Sequence, residues 1–211
     1  MSITSEENNN DEQNTASQRR IQIIREATSL FRAKGFAATS MNDVARVVGV
    51  SKPAIYHYFK NKKELFVAVS TDGPEKSVAK MKALVADTSM TSMEKLSQML
   101  DAAYEGIVNS PCGEMMPLVA ETSTRFPDIA RYFRDGFIAE MHDAAQAIVK
   151  EGLVRGEFKN PQTDFFSDLV FSPPVMMALS RSMFGNLEDS PPYLVEIAKD
   201  DHLKSLIAVL T

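Results

Sequence analysis

With 211 residues, 44% of them hydrophobic, the chain carries enough apolar material for one large domain, or for a small one and a medium one. No apolar run approaches the ~18 residues of a membrane span, and the polar, acidic start MSITSEENNNDEQNT lacks the segments of a secretory signal. A cytoplasmic protein without membrane contact is expected. The single cysteine, Cys112, excludes an internal disulfide and a multi-thiolate metal site.

The net charge of −5 is unevenly spread. Residues 18–65 hold ten Lys and Arg against three acidic groups, a local +7; residues 1–17 carry −4 and the remainder −8. A basic module on an acidic body points to a polyanion met by that module alone, although a solvated helical surface would give the same count.

Residues 1–16 are polar with almost nothing to bury, and predict a disordered tail. From Ser17 the spacing of Ile21, Ile24, Thr28 and Phe31, widened by Ala27 and Leu30, predicts an amphipathic helix that stops at Gly35. Ser40-Met41-Asn42-Asp43 is a capping box opening a short helix that ends at Gly49. Ser51 caps the next helix with Pro53 in its first turn, and Asn61-Lys62-Lys63-Glu64 opens a fourth. Two short helices around a three-residue turn form the helix-turn-helix layout, with Val44, Ala45, Val48, Val50 and Ile55 facing inward.

The remainder shows no strand pattern; helices are predicted at about 62–71, 75–87, 91–109, 114–124, 128–155, 161–184 and 191–210, with Asn160 and Ser190 as N-caps of the last two. The expected fold is all-α: an N-terminal three-helix helix-turn-helix domain (17–65) and a larger helical domain (66–211). Asp72-Gly73-Pro74 interrupts the helix leaving the basic domain, as a linker or as a hinge.

The stretch from Gly35 to Val69 resembles the DNA-binding domain of the TetR family of bacterial regulators. Its matching elements are Gly35-Phe36, Thr39-Ser40, Ala45, Gly49-Val50-Ser51, Ile55-Tyr56 with Phe59, and Lys62 with Leu65. The later part resembles the AcrR-like branch more loosely, through Thr124-Arg125-Phe126-Pro127-Asp128, Arg155-Gly156-Glu157-Phe158 and Ser172-Pro173-Pro174. Two positions depart from the family pattern: Tyr58, where relatives often carry histidine, and the broken linking helix at 72–74.

On the second short helix Ile55 and Phe59 define the buried edge, and Pro53 and His57 lie about 160–200° away. Lys52 and His57 are assigned to base edges or adjacent phosphates, Ala54 to a thymine methyl, and Tyr56 and Tyr58 to phosphate oxygens. Thr39 and Ser40 offer hydroxyls to a phosphate or serve as caps only, and Lys62 is expected to clamp the DNA backbone. His57, His142 and His202 show no metal-binding spacing, and no nucleophile or phosphate-loop motif appears, so neither an enzyme nor a cofactor is implied.

Ten of the twelve methionines lie beyond residue 66. Together with the phenylalanines they suit either a core or a cavity for a lipophilic or aromatic small molecule. The candidate lining is Met99, Tyr104, Met115, Met116, Glu121, Phe133, Phe137, Met141, His142, Phe171 and Met176, with Arg125 as a further polar contact. Cys112 reads as an inert thiol or a redox sensor. The resemblance implies a homodimer through the last two helices, which would set two recognition helices ~34 Å apart on a palindromic double-stranded DNA operator. The expected function is a ligand-responsive repressor; the alternative is a DNA-binding regulator without a small-molecule effector, acting through protein partners or as an activator.

Overall fold

A computed structural model describes residues 4–159, 165–190 and 192–211, with side chains from residue 15 onward. The fold is all-α, and no strand occurs among the described residues. The helices are α1 (Thr4–Ala38), α2 (Met41–Val48), α3 (Lys52–Tyr58), α4 (Lys62–Thr71), α5 (Pro74–Ala86), α6 (Ser92–Ile107), α7 (Pro111–Arg125), α8 (Pro127–Tyr132), α9 (Ala139–Val154), α10 (Phe166–Phe184) and α11 (Val195–Leu210). A π-helical stretch, Phe133–Ile138, joins α8 to α9. Two compact units divide at Val69 and Ser70, inside α4.

In the first unit, α1 begins at Thr4, within the stretch whose composition predicts an unstructured tail; residues 1–3 lie outside the described residues. Extending a nucleated helix adds one hydrogen bond per residue at little cost, so polar residues can prolong a helix anchored elsewhere. The anchor is Ile23, Ile24, Ala27 and Phe31, all buried. Ile21 was expected on that stripe but is 57% exposed, and Ile23 takes its place, because the buried face is centred one position further along the turn. At Gly35 the backbone leaves the helix (φ 77°, ψ 167°), and Phe36 folds back to stack 6.0 Å from Phe31. Phe66 of α4 meets both rings edge-on, at 5.3 and 4.9 Å, an arrangement that aligns ring edge with ring face.

The capping box at α2 forms as the spacing predicts. The Ser40 side chain accepts from the Asp43 amide at 3.2 Å, and the Asp43 carboxylate accepts from the Ser40 amide at 3.1 Å. The Ser40 hydroxyl, which donates to the same carboxylate, and then the Ser40 amide hold the Asp43 carboxyl below its usual range. Gly49 ends α2 at φ 76°, where a side chain would be strained, and its amide closes on the Ala45 carbonyl. The turn delivers Ile55 and Phe59 to the core formed with Val44, Ala45 and Val48.

In the second unit α6 is the central helix, burying Leu96, Met99, Leu100, Ala102, Ala103, Tyr104 and Ile107. Around it α5, α9, α10 and α11 contribute Met81, Ile148, Val149, Val170, Phe171, Leu206 and Leu210. Gly73 permits a close approach, since a Cβ there would lie 2.2 Å from Cβ of Ser110. Pro74 is buried as the first residue of α5, so the break at 72–74 is a packed corner within this unit. Lys95 is 1% exposed and its ammonium donates to Glu151 at 2.6 Å. Arg155 joins Glu151 at 3.0 Å and Glu157 at 2.7 Å, and Glu157 accepts from the Ser92 amide at 2.6 Å. The Arg155-Gly156-Glu157-Phe158 sequence thus closes α9 with an ion network and returns Phe158 to the core. The last helix starts at Val195, with no side-chain cap, instead of at the expected Ser190 cap. A Pro-Pro pair disfavours helix at the residue before each ring, which delays the start. The expected Asn160 cap and Pro161 lie outside the described residues.

Candidate nucleic-acid interface and apolar cavity

On α3, Lys52, Pro53, Tyr56 and His57 are exposed together, while Ala54 and Tyr58 are half-buried beside them. Ser51 caps the helix, accepting from the Ala54 amide at 3.4 Å. The Lys52 ammonium lies 5.9 Å from the Tyr56 ring centre, and His57 meets Tyr58 edge-on at 5.4 Å. The face therefore offers a cation, a phenol and an imidazole held by neighbouring rings, a donor set suited to phosphates and base edges.

Three other expected contacts are committed within the protein. Thr39 is 1% exposed, and its hydroxyl donates to the Gly35 carbonyl at 2.8 Å, closing the end of α1. Ser40 is exposed, but its hydroxyl is engaged with Asp43. Lys62 donates to the Phe36 carbonyl at 2.7 Å and the Ala37 carbonyl at 3.2 Å, with its ammonium 4.5 Å above the Phe36 ring. Burial lowers its pKa. A lysine that satisfies carbonyls at a helix end is a staple there.

In the second unit a cavity of about 540 Å³ opens between α7, the π-helical stretch, α9 and α10. It gathers Met116, Phe133, Phe137, Met141, His142, Phe171 and Met176 from the sequence-derived set. Met99 and Met115 are instead fully packed in the core, and Glu121 is exposed. Tyr104 is buried; its hydroxyl lies 3.3 Å from Nδ1 of His202. Nε2 of His202 donates to the Leu169 carbonyl at 2.9 Å, which leaves Nδ1 as acceptor for Tyr104, and burial lowers the histidine pKa. The sequence reading missed Asp168, Ser172, Val175 and Leu179. Their signal was available as an α10 stripe at steps of three and four with one acid in it. Phe133, Phe137 and Ile138 stand on the π-helical wall, a geometry that widens the helix and recurs at functional sites. Cys112 also lines the cavity, but burial pushes its thiol up to about 12. A neutral thiol is a poor nucleophile, so the redox-sensor alternative has no support here.

Among the described residues no group of three or more His, Cys, Asp or Glu converges to hold a metal ion, and no helix is long and apolar enough to cross a membrane. An all-α fold with a helix-turn-helix and a separate helical unit holding an apolar cavity defines a class of DNA-binding regulator. The family model for bacterial regulatory proteins of the tetR family matches residues 23–69. The uncharacterized HTH-type transcriptional regulator YvaF of Bacillus subtilis is 30% identical over 148 residues, 68% of this chain and 73% of that protein. The HTH-type transcriptional repressor KstR2 of Mycolicibacterium smegmatis is 25% identical over 154 residues, 72% of each chain. The chain belongs to the tetR family, whose members are transcriptional regulators and not enzymes. Among solved structures, the transcriptional regulator FadR from Bacillus subtilis, in complex with stearoyl-CoA, shares the fold. Its TM-score is 0.68 at 16% identity, covering 90% of this chain and 99% of that one.

Proposed function

We propose that this regulator is a homodimeric cytoplasmic repressor, released from a palindromic operator by a small lipophilic or aromatic effector. The observation that carries the reading is the cavity of about 540 Å³, lined almost wholly by apolar side chains. A volume of that order accommodates a drug-sized molecule, whereas a merely structural core closes to native packing density. The stearoyl-CoA held by the Bacillus subtilis FadR supports a lipophilic occupant. Residues 17–65 read DNA, and residues 66–211 bind the effector and dimerise. Lys52, Pro53, Ala54, Tyr56, His57 and Tyr58 form the reading face.

The homodimer pairs α10 and α11 with their counterparts. Met176, Met183, Phe184, Leu187, Leu194 and Ile197 are all between 46% and 61% exposed on or next to these two helices. Large apolar side chains left exposed together on one pair of helices point to an association face. An effector acts by binding one spacing of the two reading units more tightly than the other. Footprinting on the DNA upstream of its own gene, with and without lipophilic compounds, tests the proposal. Protection lost on addition of such a compound supports it. Protection by a monomer, or protection indifferent to every compound that fills the cavity, overturns it.

A further inference from the structure

The cavity wall carries very little polarity, and its position is informative. Of the sixteen lining residues, His142, Asp168 and Ser172 are the only ones with an acid, base or hydroxyl group, the Cys112 thiol aside; no lysine or arginine is among them. Nε2 of His142 lies 3.9 Å from Oδ1 of Asp168, beyond hydrogen-bond distance. Their mutual approach is the sole polar contact of either side chain among the described residues. The imidazole is held flat against Phe171, with centroids 5.9 Å apart and planes 12° from parallel. A donor and an acceptor are thus fixed side by side at one edge of an otherwise apolar space, too far apart to satisfy each other.

We infer that the effector is an uncharged, largely apolar molecule carrying a hydroxyl that seats at the His142–Asp168 pair; this rests on the reading of the cavity as an effector site. A hydroxyl oxygen placed roughly 2.8 Å from both atoms donates to the Asp168 carboxylate and accepts from the His142 N–H. A carboxylate ligand would set its charge against that of Asp168 with no lysine or arginine in the wall to offset it. An alkane offers neither group a partner in place of the water it displaces, which costs binding free energy. The pair therefore selects for the alcohol on both sides.

The test is calorimetric titration of the whole protein with decane, decan-1-ol, decanoate and decylammonium, each below its aggregation concentration. Decan-1-ol is expected to bind at least about tenfold more tightly than decane and than decanoate. Asp168→Leu and His142→Phe are each expected to reduce the alcohol-to-alkane preference to about twofold, by weakening decan-1-ol binding and tightening that of decane. Both positions are partly exposed, and circular dichroism confirms that the variants are folded. Tighter binding of decanoate or decylammonium overturns the inference and leaves the effector cavity standing. An alcohol preference that survives both substitutions likewise overturns it. Failure of all four compounds to bind removes the effector-cavity reading itself, and the inference with it.

Discussion

Lys62→Met separates a staple from a DNA clamp. The substitution keeps most of the stem but deletes the ammonium, and with it the bonds of 2.7 and 3.2 Å to the carbonyls of Phe36 and Ala37. Hydrogen bonds from a charged donor contribute about 1.5–3 kcal/mol, and a cation over an aromatic face about 0.5–1 kcal/mol. Lys62 keeps partial access to water, which screens the charge, so the expected net loss is about 1.5–2 kcal/mol. Urea unfolding followed by circular dichroism gives the loss, and amide exchange near the end of α1 places it within the first unit. In parallel, affinity for duplex DNA is measured between about 50 and 200 mM salt, where each phosphate contact removed makes the log–log slope shallower by about 0.9. A staple predicts lost stability with an unchanged slope. Unchanged stability with a slope shallower by about one unit would refute the assignment.

Lys95→Ala, which leaves Glu151 with Arg155 alone and opens a void, is expected to lower stability by about 3 kcal/mol. Lys95→Met, which fills the space, should cost visibly less in the same denaturation series. His202 has a lowered pKa, so the folded state binds its proton less readily than the unfolded state. Its contribution is complete above the ordinary value of 6.5 and is lost as pH falls below it. His202→Gln should flatten that part of the stability–pH curve; an unchanged curve would contradict the buried neutral histidine. Gly136 lies inside the π-helical stretch with open space where a Cβ would sit. Gly136→Ala is expected to raise stability by about 1 kcal/mol in the same denaturation series, and a loss would show that the stretch needs the freedom of glycine there.

The helix-turn-helix was legible because its signals are local. Ser40 with Asp43, Ser51 with Pro53, and Gly49 each act within one turn of their own position, and each forms in the structure as its spacing predicts. The outward face of α3 was legible for the same reason: a helix wheel needs only the buried edge at Ile55 and Phe59. The staple at Lys62 was not legible, because its partners lie elsewhere in the chain. Lys62 reaches carbonyls twenty-five and twenty-six positions away. A charge count cannot register a hydrogen bond to a main-chain carbonyl.

In the helical body, composition left core and cavity open, and periodicity announced the helices. Composition does not distinguish Met99 and Met115, sealed in the core, from Met116 and Met141, beside the cavity. That difference depends on how α6, α7, α9 and α10 cross, and helix-crossing geometry depends on close approaches such as Gly73 on Ser110 that no single helix encodes. The sequence by itself determined the all-α class, the caps of α2 and α3, and the outward face of α3, because each is set by residues within a few positions of one another. Only the tertiary structure decided where the chain leaves room for another molecule. A cavity is the volume that several helices fail to fill, and it belongs to none of them.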